Sequence, residues 1–215
     1  MKAAVFVLLV GTACVFTPRI YAQSSTTLRK GTWDLGVWVG GGFSASGGIS
    51  DVHLFNSGFR IGKVLTEQHG SRWYRGNLEV GADVIPFTLV FQQTIQPLVC
   101  IQIFPPPCVP TKRDETVYGA GFNPLLTRWN FTAQRRFAPY AELGGGLLFT
   151  TSEVPAFTSN VNFTPQFALG THIFTREQRS VSAEIRYMHI SNAGLSSLNP
   201  GINTIQVFLG YHWFH

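Results

Sequence analysis

The chain has 215 residues, of which 45% are hydrophobic, 13% aromatic and only 13% charged, and it carries 22 glycines and a formal net charge of +5. That mild basicity, with no cluster of Lys and Arg, gives no electrostatic footprint for nucleic acid. After the N-terminal run, no apolar stretch reaches the roughly 18 residues of a transmembrane helix, so a helical membrane protein is excluded as well.

The chain opens with Met1-Lys2 and an apolar run from Ala3 to about Phe16, followed by Ile20-Tyr21-Ala22. A charged start, a run too short to span a bilayer and a small-residue cleavage site predict a secretory signal peptide over 1–22. Residues 23–215 then form a single domain. Cys14 follows Gly11-Thr12-Ala13, a poor lipoprotein box, which argues against lipidation. Loss of Lys2 and Arg19 with the peptide takes the formal charge from +5 to +3.

From there the hydrophobic period is two almost throughout. Trp33, Leu35, Val37 and Val39 alternate with Asp34, Gly36 and Trp38, and Leu78, Val80, Ala82 and Val84 with Asn77, Glu79, Gly81 and Asp83. Eight strands are predicted at about 31–43, 53–66, 71–91, 116–130, 136–151, 161–174, 180–191 and 203–214. Many exceed the usual globular strand and suit a tilted bilayer crossing. The connections 67–70, 132–135 and 175–179 are short and polar, whereas 44–52, 92–115, 152–160 and 192–202 are longer. This predicts an all-β fold, an eight-stranded antiparallel transmembrane β-barrel with short periplasmic turns and longer extracellular loops. Such a sheet must close, because lipid offers no partners to edge N–H and C=O groups. The inward alternates Glu79, Asp83, Glu184, Arg186 and Gln206 would fill the interior and leave no wide pore. A soluble sandwich or lipocalin-like barrel would instead place its polar residues outward. Cys100 and Cys108, eight apart around Pro105-Pro106-Pro107, read as a loop disulfide of an exported protein.

The last strands carry the candidate chemistry. His189 and Ser191 are two apart, on the face that continues through Tyr187, Ile185, Ala183 and Val181. Asn203 heads the next row, Ile205, Val207, Leu209, Tyr211 and Trp213. The polar trio thus ends an otherwise apolar, lipid-facing row near the outer rim, where a nucleophile meets the outer leaflet. Tyr187, Tyr211 and Trp213 read as interface aromatics. His53, His69, His172, His212 and His215 are scattered without ligand spacing, so neither a metal nor another cofactor is expected.

His189-Ile190-Ser191-Asn192-Ala193-Gly194 resembles the motif of the PagL-type lipid A 3-O-deacylases of Gram-negative outer membranes, and Asn199 falls where that family has a further asparagine. The specific resemblance covers roughly residues 184–214. It implies an eight-stranded outer-membrane barrel that removes the 3-position acyl ester of lipid A, with lipopolysaccharide as partner. It implies Ser191 as nucleophile and His189 as base, and Asn192, Gly194 and Asn199 as oxyanion donors or substrate contacts. The family carries Glu fourteen residues after the histidine; here Asn203 stands there. Asparagine can orient an imidazole but cannot offset its charge, and an Asp→Asn change at the matching position of a serine protease costs about 10⁴ in rate. A barrel without catalysis, contacting a partner through the 92–115 loop, is the competing expectation.

Overall fold

The computed structural model describes residues 28–96, 111–133 and 136–215. The signal peptide reading, Cys14 and the Cys100–Cys108 pair lie outside the described residues. The strands are β1 (Trp33–Ala45), β2 (His53–Val64), β3 (Gly76–Gln96), β4 (Thr111–Phe131), β5 (Phe137–Thr150), β6 (Val161–Phe163), β7 (Gln166–Arg176), β8 (Arg179–Ile190) and β9 (Ile202–Phe214). All neighbours pair antiparallel, β1 closes onto β9, and β4 meets β5. β6 and β7 both pair with β5 and are two pieces of one stave, so the barrel has eight. The break falls at Thr164-Pro165, where proline can give no ladder N–H. Pro86 and Pro124 likewise sit at register shifts, in the β3–β4 and β4–β5 ladders.

Two boundaries differ from the sequence reading. β3 begins at Gly76 rather than near 71, because His69 and Gly76 exchange backbone hydrogen bonds of 2.8 and 3.0 Å and close the intervening residues into a loop. A 3-10 turn at Arg72–Tyr74 fills that loop, so this connection is longer than the four residues 67–70. At the opposite end β3 and β4 continue as a ladder to Gln96 and Thr111, shortening the loop expected at 92–115.

Alternation sorts the wall into two faces. Outward lie Leu35, Val37, Val39, Phe59, Ile61, Leu143, Leu169, Ile185, Val207 and Leu209, all exposed, on staves around the circumference. So continuous an apolar girdle is incompatible with water and fits hydrocarbon. Inward, three arginines and five carboxylates are buried. Arg60 forks onto Asp83 (2.7 and 3.0 Å) and onto Glu142 (2.7 and 2.9 Å), and Arg128 reaches Glu142 at 2.9 Å. Arg186 pairs with Glu184 at 2.7 Å. This charged layer lies between two apolar plugs. One is Leu28, Val64, Ala138, Phe174 and Phe214 at the end bearing the C-terminus; the other includes Val52, Leu54, Val90, Ile190 and Ile202 at the loop end. Between them Gly40 leaves room for the Phe208 ring, which a Cβ at that position would strike.

Arg60→Met removes the bridge but leaves both carboxylates buried. It is expected to destabilise the barrel by about 3–5 kcal/mol. Urea unfolding in vesicles, followed by tryptophan fluorescence, should show a clearly lower midpoint than wild type. Lys63→Met, on the partly exposed surface, should shift it by under about 0.5 kcal/mol.

Candidate active site

β8 ends at Ile190, and the chain then turns away from the barrel wall. Val181, Ala183, Ile185, Tyr187 and His189 stand on the outer face of β8, while Ser182, Glu184, Arg186, Met188 and Ile190 point in. His189 pairs in register with Asn203 on β9, and Asn203 with Ala45 on β1. Ser191 continues the outer row and is bridged to Phe163 on β6. The three residues expected from the sequence therefore share one outward patch at the loop end, each half-buried.

His189 Nδ1 lies 2.7 Å from Asn203 Oδ1. An amide oxygen only accepts, so the proton is on Nδ1 and Nε2 carries the lone pair in the neutral ring. Gly201, at φ +67°, underlies the imidazole; a Cβ there would come within 2.7 Å of His189 Cε1. The Ser191 hydroxyl makes no hydrogen bond among the described residues. Its side chain must rotate to meet Nε2, the kind of contact that tightens when substrate binds.

The following loop braces itself. Asn192, almost fully buried, donates from Nδ2 to Leu198 O (2.8 Å) and accepts from Gly194 N–H at 2.9 Å. Its own backbone N–H donates to Asn199 Oδ1 at 3.1 Å, and that of Ser191 to Phe163 O at 3.1 Å. Several of the N–H groups that could face an oxyanion are thus already engaged. Asn199 Nδ2, on an exposed residue, has no protein partner among the described residues. Leu195 and Leu198 are exposed beside it, and Phe43 and Phe163 flank the patch.

A second Ser-His array lies inside the barrel, where the sequence reading had only scattered histidines. That reading is corrected: inward phase and strand register bring His172 and His212 together with Asp34, with ligand atoms within 4.8 Å of one another. Ser182 Oγ is 3.0 Å from His212 Nε2, and His212 Nδ1 is 2.7 Å from Asp34 Oδ1. His172 bonds Ser180 Oγ through Nδ1 (2.9 Å) and takes an N–H from Arg128 at Nε2 (3.0 Å). All four ring nitrogens are occupied, and a guanidinium stands where a cation would have to enter. Gly36 and Gly210 pack against His212 and Ser182 so closely that a Cβ on either would collide. The array has triad-like spacing and no room for a substrate; it is a satisfied polar core.

The closed wall, apolar girdle and filled interior define an outer-membrane β-barrel with a polar patch on its lipid face. Residues 109–212 match the family described as lipid A 3-O-deacylase (PagL). Among solved structures the chain is similar to the outer membrane enzyme PagL, at 17% identity and a TM-score of 0.52 over 81% of this chain and 97% of that one. It is also similar to the outer membrane protein OprG from Pseudomonas aeruginosa, at 10% identity and a TM-score of 0.50 over 87% and 97%. The comparison with curated proteins returns no match. At these identities the structures share the fold alone, so the chemistry must be argued from the site.

Gly201→Ala should push the imidazole off its seat. Any ester turnover at this patch is expected to fall about tenfold or more, with the barrel still folded by its gel shift on heating. Unchanged turnover would mean that the ring does not rest on Gly201.

Proposed function

We propose that the protein is an outer-membrane serine esterase that removes the ester-linked 3-position acyl chain of lipid A. The observation that carries this reading is the outward His189–Asn203 pair, with Ser191 two residues on, in an otherwise apolar wall at the loop end. Polar groups on a lipid face are costly unless they lie at the rim and have a task there. At the outer-leaflet rim the ester within reach belongs to the lipopolysaccharide anchor.

In this reading His189 Nε2 takes the Ser191 proton as Oγ adds to the ester carbonyl carbon. The tetrahedral oxyanion needs donors, and Asn199 Nδ2 is free to turn toward it; Asn192 and Gly194 hold the loop that presents Asn199. Collapse breaks the acyl–oxygen bond, and His189 returns the proton to the departing sugar 3-oxygen. Water, deprotonated by the same base, then releases the fatty acid and restores Ser191. Leu195, Leu198, Phe163 and Phe43 give the acyl chains an apolar bed beside the nucleophile.

Asn203 in place of a carboxylate favours the second reading, a barrel without chemistry. Magnitudes keep the first alive. A typical turnover of about 10 s⁻¹, cut by about 10⁴, leaves roughly one event per quarter hour. That still modifies lipid A over the growth of a culture.

Mass spectrometry of lipid A from a Gram-negative host expressing wild type or Ser191→Ala decides between the two. Loss of one hydroxyacyl chain with wild type alone is expected. Unmodified lipid A in both strains, with folded protein in the outer membrane, would overturn the esterase reading.

A further inference from the structure

The family's carboxylate is missing, yet the imidazole still has an oxygen partner on Nδ1. Asn203 Oδ1 accepts twice: from His189 Nδ1–H at 2.7 Å and from the Tyr187 hydroxyl at 2.8 Å. Its Nδ2 donates to the backbone carbonyl of Ser46 at 3.2 Å. Tyr187 is on the same outer face of β8 as His189, and Ser46 follows β1 directly. Both ends of the amide are therefore pinned from two different strands.

The Ser46 carbonyl decides which way round the amide sits. A flipped Asn203 would set Oδ1 against the Ser46 oxygen and Nδ2 against the imidazole, turning the Ser46 contact from an attraction into a repulsion. Tyr187 makes the choice more secure. Its ring is exposed on the outer face, and its phenol O–H donates to Oδ1. A carboxylate has two equivalent acceptor oxygens and needs no such arrangement; an amide does, because only one of its ends can serve a histidine N–H.

We propose that Tyr187, with the Ser46 carbonyl, is a positioning element that locks the Asn203 amide so that His189 keeps its proton on Nδ1 and presents Nε2 to Ser191. Tyr187 touches neither the reacting ester nor the imidazole; it acts through Asn203. The functional consequence rests on the esterase reading, whereas the tautomer is a property of the barrel itself.

Two measurements test it. In full-length protein from outer membranes with ¹⁵N-labelled histidine, the His189 signals, assigned by their loss in His189→Gln, should report the Nδ1–H tautomer. Tyr187→Phe should move part of that population to Nε2–H and lower kcat on lipid A about fivefold with KM unchanged. In an Asn203→Glu background the same Tyr187→Phe change should alter kcat by less than about twofold, because either carboxylate oxygen can serve the imidazole. An Nε2–H tautomer in wild type would overturn the proposal. So would a Tyr187→Phe protein with unchanged tautomer and unchanged kcat. Should wild type not turn over lipid A, the esterase reading falls while the spectra alone decide the amide lock.

Discussion

Closure of the sheet is the constraint on which the rest depends. A backbone surrounded by hydrocarbon must pair every N–H and C=O, and eight antiparallel staves joined through β1 and β9 do so. Closure gives each strand one face to lipid and one to the interior, with a period of two and no intermediate choice. The sign of the usual core is thereby reversed: Leu, Val and Phe go out, and Arg60, Asp83, Glu142 and Arg186 go in. Burying that many charges is tolerable only because they meet one another at 2.7–3.0 Å, with apolar plugs above and below to keep water from competing.

The same sorting separates two constellations that a list of distances would confuse. Ser182, His212 and Asp34 have serine–histidine–carboxylate spacing, but all three are sealed in the core with glycine-tight neighbours. Ser191, His189 and Asn203 lack a Ser–His hydrogen bond and have a weaker third member, yet they stand on the outward face of the wall, open to a membrane lipid. Access outranks distance here. The inner array is sealed in the core; the outer patch is open to the surroundings.

Much of this was legible in the sequence, and for a definite reason. Period-two alternation and an even count of long strands state the barrel directly, and the two-residue step from His189 to Ser191 puts them on one face. What was not legible depends on register. The Tyr187–Asn203–Ser46 contacts join β8, β9 and the residue after β1, and no local pattern specifies which residues meet across strands. The Asp34, His172 and His212 cluster was hidden for the same reason: each is in inward phase, but their common height follows only from pairings such as Ser180 with His212. The 3-10 turn before Gly76 and the break at Pro165 are local departures; of these the proline was visible and the turn was not.

The central claim is that the reactive serine is on the lipid face. Labelling the folded protein in outer-membrane vesicles with a lipophilic fluorophosphonate, followed by peptide mapping of the adduct, tests it most directly. The account predicts a single modified serine, Ser191, and no adduct after His189→Gln. An adduct on Ser182, or none on any serine while the barrel is intact, would contradict it.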